Sequence, residues 1–123
     1  MKLRTNFPYK ISVEIDVANN PDLAGELLRN AFFDQSEGRG CYVSFKLRDN
    51  VKELPSKIID GINFHYACAE FDGKEITMEY WWDGDGSLSF IFEDGCAIQN
   101  NDCKKTYNWK FYSKEEMDRK LER

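Results

Sequence analysis

The sequence lacks the features that mark several common classes of protein. Its 123 residues contain no apolar run near the roughly 20 residues that cross a bilayer, so no membrane-spanning helix is expected. The single histidine, His65, rules out metal sites built on histidine pairs. Acidic residues outnumber basic ones, 22 to 17, and the basic stripe that nucleic-acid or anionic-membrane binding needs is missing. We therefore predict no direct nucleic-acid binding and no membrane docking.

The four cysteines lack the spacing of a typical metal site. Zinc sites built from thiolates usually contain close pairs such as C-x2-C, whereas Cys96 and Cys103, the nearest pair here, have six residues between them. The first residues carry charge without a following apolar stretch, so no signal peptide is expected. These observations predict reduced thiols, a cytoplasmic location, and no metal or cofactor. A Cys96–Cys103 disulfide and a structural zinc remain alternatives.

The chain does contain enough material for one folded domain, which we expect to cover residues 1–123. Alternating apolar and polar residues predict strands at 9–17, 41–48, 62–71, 74–82, 87–93 and 105–112, with a shorter one at 96–99. Asn20-Pro21-Asp22 predicts the start of a helix, and Ser113-Lys114-Glu115-Glu116 the start of a short C-terminal helix. Residues 49–60 are expected to form a loop that includes Pro55, with room for a short strand near Ile58.

This order predicts an α+β fold. Along the chain, the expected order is strand, helix, strand and then a meander. We expect a mostly antiparallel sheet of about six strands, with one helix packed on a face and a short C-terminal helix. Asp72-Gly73 indicates a tight hairpin between two of the strands.

Acidic residues are concentrated in the meander. Nine of the 22 acids, but only one of the 17 bases, lie between Asp60 and Asp94. One interpretation is that acidic turns keep the sheet soluble and its edges unpaired. The other is that they form an acidic docking face that attracts a basic partner.

Trp81 bears on this choice because strand alternation places it on the face opposite the apolar residues Met78 and Tyr80. Pairing the apolar faces of 74–82 and 87–93 through a three-residue loop predicts Trp81 opposite Ser89 and Glu79 opposite Ile91. An exposed tryptophan ringed by acids is typical of an interface anchor with a charged rim. The alternative is that a helix or the 49–60 segment covers Trp81.

The sequence offers little support for catalysis or metal binding. Cys68 and His65 are three residues apart in a predicted strand, so they point to opposite faces and cannot act as a nucleophile and its base. The segment from Asp83 resembles the start of a calcium loop, but its sixth position is Leu88 rather than glycine. We assign no catalytic residue.

Two hypotheses of different class follow, and a third stays open. The first is a non-enzymatic protein-binding protein, namely a stoichiometric inhibitor of the toxin-immunity or phage anti-defence type. It would present an acidic face to a basic toxin or nucleic-acid-handling enzyme, such as a nuclease. The substrate cleft of such an enzyme must be positively charged to hold nucleic acid. The second is a small-molecule-binding domain or small enzyme with an aromatic-lined pocket near His65. The third is an assembly subunit that uses a free sheet edge. For the first, the candidate partner-binding residues are Glu79, Trp81, Asp83, Asp85, Ile91, Glu93, Asp72 and Glu75.

Overall fold

The computed structural model describes residues 2–5, 13–39, 42–81, 86–102 and 105–121 of the chain. Within these ranges, ten strands and two helices follow one another in the order strand, strand, helix, eight strands, helix. Their bounds are β1 (Lys2–Thr5), β2 (Val13–Asp16), α1 (Pro21–Phe32), β3 (Phe33–Arg39), β4 (Tyr42–Leu47), β5 (Lys52–Ile59), β6 (Ile62–Phe71), β7 (Lys74–Trp81), β8 (Ser87–Ile91), β9 (Ala97–Asn100), β10 (Trp109–Tyr112) and α2 (Lys114–Leu121).

Six consecutive strands form one antiparallel meander, in the spatial order β10-β9-β8-β7-β6-β5. Two of its hairpins have two-residue turns, Asp60-Gly61 and Asp72-Gly73, and all four residues have positive φ angles between 52° and 78°. This backbone suits the right-handed twist of the flanking strands, and aspartate and glycine tolerate it best. With the two-stranded pairs β1-β2 and β3-β4, the arrangement confirms the predicted α+β class.

The prediction of a loop over residues 49–60 is wrong for most of this segment, because β5 occupies Lys52–Ile59; only the short strand expected near Ile58 falls within it. Pro55 suggested a loop, but it lies where the register shifts between Leu54 and Lys57, in a strand at the edge of the sheet. An edge strand needs no ladder hydrogen bond on its outer side, so it accommodates a proline and a bulge.

The N-terminal elements also differ in their bounds from the sequence pattern. The strand expected at 9–17 is represented by β2, which pairs with β1, and residues 6–12 lie outside the described ranges. Helix α1 starts at Pro21, as predicted, and ends at Phe32, because Phe33 adopts an extended conformation (φ −114°, ψ 140°) and begins β3.

One face of the meander, the inner face, packs against α1 and forms the core. Phe90 lies at its centre, with ring centroids 5.1 Å from Phe32 and 5.5 Å from Trp109. Helix α1 approaches this face closely at Gly25, where an added Cβ would lie 2.1 Å from the nearest Trp109 ring atom. Fully buried side chains around this centre are Leu3, Val17, Leu28, Ile76, Met78, Leu88 and Ile98.

Carboxylates of α1 hold β10 in place. The backbone N–H of Trp109 donates to Asp22 Oδ1 (2.8 Å), and its indole Nε1 donates to Glu26 Oε2 (2.6 Å). Arg29 is buried beside them, 3.8 Å from the Glu26 carboxylate and 5.5 Å from the Trp109 ring centroid. Because α1 is anchored on the inner face, the opposite side of the meander is available for other contacts.

Candidate protein-binding surface

The side of the meander opposite α1, here called the outer face, carries several of the residues that the sequence analysis selected. Successive side chains of a strand alternate between faces, so Glu79 and Trp81 lie on the outer face while Met78 and Tyr80 point to the core. By the same alternation and the strand registers, its central residues are Phe64, Tyr66, Cys68, Glu70, Glu75, Thr77, Glu79, Trp81, Ser87, Ser89, Ile91, Ala97 and Gln99.

Trp81 is half-buried at the end of β7. Its indole meets the ring of Phe64 edge-on, with centroids 6.4 Å apart and an interplanar angle of 65°. Phe64 is 8% exposed, yet it is not part of the core cluster on the inner face. The two rings therefore form a small apolar cluster on the outer face that is separate from the core.

The predicted pairing of β7 with β8 is wrong by two residues. The structure pairs Trp81 with Ser87, Glu79 with Ser89 and Thr77 with Ile91. A shift of two residues leaves every side chain on the same face, so the hydrophobic pattern alone does not distinguish the two registers. As a result Ile91 lies four residues from Trp81 along the strands, or about 13 Å, rather than two.

Glu79 is oriented by a neighbour on β6. The Tyr66 hydroxyl donates to Glu79 Oε2 at 2.8 Å, across a directly opposed residue pair. The ammonium group of Lys57 on β5 lies 5.3 Å from the centroid of the Tyr66 ring. The carboxylate of Glu79 is thus held in a defined position, two residues from Trp81 on the same face.

Three other selected acids lie at the far end of β7. The backbone N–H of Glu75 donates to Glu93 Oε1 (2.8 Å), so these two residues adjoin. Asp72 accepts a hydrogen bond from the backbone N–H of Arg4 (3.0 Å) and lies 3.9 Å from Lys74 Nζ. Six residues of extended strand separate Glu75 from Trp81, which is about 20 Å.

The selected residues are therefore divided between the two ends of the outer face. Glu79 and Trp81 occupy one end, Glu75 and Glu93 occupy the other, and Asp72 lies in the turn beside that second end, where it contacts Arg4 of β1. Asp83 and Asp85 lie outside the described residues.

Lysines border the acidic centre of the outer face. Glu70, Glu75 and Glu79, here called the acidic strip, lie on the central strands β6 and β7. On one side, Lys52 and Lys57 lie on the outer face of β5, opposite Cys68 and Phe64. On the other side, Lys110 lies on β10 opposite Gln99. The negative charge is thus a narrow strip along the middle of the face rather than a property of the whole face.

Helix α2 lies over the β8-β9 part of the outer face. It begins with the capping box that the sequence predicts: the Glu116 backbone N–H donates to Ser113 Oγ, and the Ser113 backbone N–H donates to Glu116 Oε1, both at 3.2 Å. A cavity of about 40 Å3 separates the helix from the sheet, and it is lined by Glu79, Ser89, Ile91, Ala97, Gln99, Met117 and Lys120. Ile91 therefore faces α2, whereas Trp81 is not among the lining residues.

His65 lies on the inner face, away from the residues just described. Its ring stacks on Tyr80 at 5.2 Å, and Tyr80 in turn meets Phe33 edge-on at 5.8 Å. Burial, and secondarily the charge of Glu53, raises the pKa of Tyr80. Cys68 is on the outer face, so it and His65 do lie on opposite sides of the sheet, as the alternation predicts. Among the described residues, no group of three or more His, Cys, Asp or Glu side chains has the arrangement of a metal site.

Cys68 and Cys96 are free thiols. Cys96 is buried, and its Sγ lies 2.8 Å from Asp94 Oδ1, to which it donates. Burial, followed by this hydrogen bond and the charge of Asp94, raises the pKa of the Cys96 thiol to about 12. The same hydrogen bond holds the pKa of Asp94 below its usual value. Cys96 is therefore a poor nucleophile at neutral pH.

No protein-family model, curated protein or solved structure matches this chain. Neither helix in the described part of the chain has the length and apolar character to cross a membrane. Sequence reasoning missed Tyr66 and the contribution of α2. The spacing of Lys114, Met117 and Lys120 at every third residue was the available signal for the sheet-facing side of α2.

Proposed function

We propose that this protein is a non-enzymatic protein-binding protein that acts as a stoichiometric inhibitor of the toxin-immunity or phage anti-defence type. Its partner is a basic protein, such as a nuclease, and its binding surface is the outer face with Trp81 as the anchor. The observation that carries the proposal is the half-buried Trp81, set against Phe64 and two residues from the oriented carboxylate of Glu79.

An indole in this position has the properties of an interface anchor. Tryptophan supplies a large contact area with few rotatable bonds, and it is enriched among residues that dominate binding energy. Support from Phe64 lowers the cost of ordering the ring, because the ring is already placed in the free protein.

The charge around the anchor favours a basic partner. The acidic strip of Glu70, Glu75 and Glu79 matches the positive cleft that a nuclease needs to hold its phosphate backbone. Opposite charges of this kind accelerate association and disfavour acidic competitors. Because lysines on β5 and β10 border the acidic strip, a partner whose positive charge is confined to a narrow cleft is favoured over one with a broad basic surface.

We further propose that the protein acts in the cytoplasm, where thiols stay reduced. The free thiols of Cys68 and Cys96 support this proposal.

The test begins with affinity capture from lysate of the source cells, followed by calorimetry with the purified partner. The chain is compared with its Trp81→Ala and Glu79→Lys variants. Removal of an anchor tryptophan costs about 2 kcal/mol or more, so Trp81→Ala is expected to weaken binding at least about 30-fold. Glu79→Lys is expected to slow association and to lessen its dependence on salt.

Two variants elsewhere on the surface serve as matched controls. Tyr107→Ala removes an aromatic ring that is 68% exposed outside the outer face, and Asp49→Lys makes the same charge change in the exposed turn before β5. Both are expected to bind as the parent chain does. Equal affinity of Trp81→Ala and Tyr107→Ala, or capture of acidic partners alone, would contradict the proposal.

A further inference from the structure

Helix α2 faces the sheet with a stripe of three side chains. Lys114, Met117 and Lys120 recur at every third residue, which places them on one side of a helix. Lys120 Nζ donates to Gln99 Oε1 (3.1 Å) and lies 3.8 Å from the Tyr112 ring centroid. Met117 lines the cavity together with Ile91. The stem of Lys114 lies over the turn at Gly95, where an added Cβ would be 2.8 Å from its Cγ.

Charge is distributed unequally around this helix. Two of the three sheet-facing side chains are lysines, whereas the acids Glu115, Glu116 and Asp118 lie outside this stripe; the acids and the lysines are all exposed. Across the cavity, the sheet presents the carboxylate of Glu79 and the polar side chains of Ser89 and Gln99 beside Ile91 and Ala97. The side of α2 that faces the sheet thus carries positive charge, and the proposed partner is also positively charged.

The geometry points to a helix-binding cleft on the outer face, occupied in the free protein by α2 and taken over in the complex by an amphipathic helix of the partner. The displacing helix carries an apolar side chain and, three residues later, a lysine or arginine, because Met117 and Lys120 show that this pair fits the Ile91 and Glu79 side of the cleft. This inference rests on the proposed function only for the source of the displacing helix.

Helix α2 packs weakly against the sheet, so another helix can displace it. The helix has eight residues, fewer than the roughly 12–15 that an isolated helix needs to be stable in water. Six of the seven side chains described in it are exposed, and only Met117 is half-buried. The cavity of about 40 Å3 beneath it has room for a few water molecules, so α2 does not fill the cleft.

The test uses the full chain and a peptide of residues 113–123, acetylated and amidated, as the probe. Lys120→Glu is expected to release α2 from the cleft, because it removes the ammonium group that donates to Gln99 and lies over the Tyr112 ring. Arg119→Glu is the matched control, because it makes the same charge change on a side chain whose hydrogen bond goes to the Glu115 carbonyl within the helix. The 15N-labelled chains are titrated with the peptide while the amide signals of Ser89, Ile91 and Gln99 are followed.

The Lys120→Glu chain is expected to bind the peptide about tenfold more tightly than the Arg119→Glu chain, because an occupied cleft lowers the apparent affinity by its free fraction. A peptide with glutamate at the position of Lys120 is expected not to bind. If Lys120→Glu disturbs the sheet signals generally, Met117→Ser serves as the opened chain.

Equal affinities for the two chains, or no saturable shifts at these three amides, would overturn the inference. Such a result would leave the proposed function intact, because no foreign partner enters this titration. Loss of the Trp81→Ala effect in the calorimetry would, conversely, remove the proposed function without bearing on the exchange of α2.

Discussion

Substitution of Gly25 by alanine tests how closely α1 packs against Trp109 of the sheet. Glycine inside a helix normally costs about 1 kcal/mol relative to alanine, so helix propensity alone predicts that Gly25→Ala stabilises the protein. The structure predicts the opposite sign. A Cβ at this position would lie 2.1, 2.3 and 2.4 Å from three ring carbons of Trp109, far inside the contact distance of about 3.5 Å.

The magnitude follows from what holds the indole. Trp109 is 4% exposed, stacks on Phe90 and donates from Nε1 to Glu26, so the ring cannot move the required 1 Å or so without losing contacts. Overpacking costs about 1–3 kcal/mol, and a lost hydrogen bond to a charged group costs about 1.5–3 kcal/mol. After the gain of about 1 kcal/mol in helix propensity is subtracted, Gly25→Ala is expected to destabilise the protein by about 1.5–5 kcal/mol.

Urea denaturation followed by circular dichroism measures this change, with an unaltered m-value as the sign that the folded state is otherwise intact. Asn30→Ala, at an exposed position of the same helix, is the matched control and is expected to stabilise slightly. A Gly25→Ala chain as stable as the parent would refute the close approach of α1 to Trp109.

Three further predictions concern buried or opposed polar groups. In peptide mapping after alkylation at pH 8, Cys68 is expected to react while Cys96 is protected, because burial and a pKa of about 12 suppress its thiolate. Asn100→Ala is expected to lower the free energy of unfolding by about 2–4 kcal/mol, since this fully buried amide makes three hydrogen bonds in the 100–108 segment. Glu70→Gln is expected to raise the free energy of unfolding by a few tenths of a kcal/mol, because it removes repulsion from Glu75 directly opposite. A lower urea midpoint would contradict this.

The sequence predicts the features that depend on local chemistry. The hairpin at Asp72-Gly73 and the capping box at Ser113 follow from residue types at fixed offsets, and both are found. The face on which Trp81 lies follows from alternation, which depends only on the period of a strand. These features need no knowledge of what the elements pack against.

The features that depend on long-range partners are not encoded in such local patterns. Strand β5 was missed because Pro55 disfavours a central strand, and only its place at the sheet edge makes the proline acceptable. The β7-β8 register was missed because two registers that differ by two residues bury the same side chains. The packing of α2 over Ile91 was missed because the spacing of Lys114, Met117 and Lys120 indicates which side of the helix faces the sheet but not which strands it covers.

The placement of the acids bears on the two interpretations of the acidic meander. If the acids served solubility alone, carboxylates in turns and at edges would be enough. Here Glu70 and Glu75 face each other directly across the central strands, and the Glu93 carboxylate bonds to the backbone of Glu75. Like charges directly opposite each other in a sheet reduce stability. A solubility role does not require that cost, whereas a surface that must attract the positive charge of a partner to strands away from the sheet edges does, and the placement therefore favours the binding interpretation.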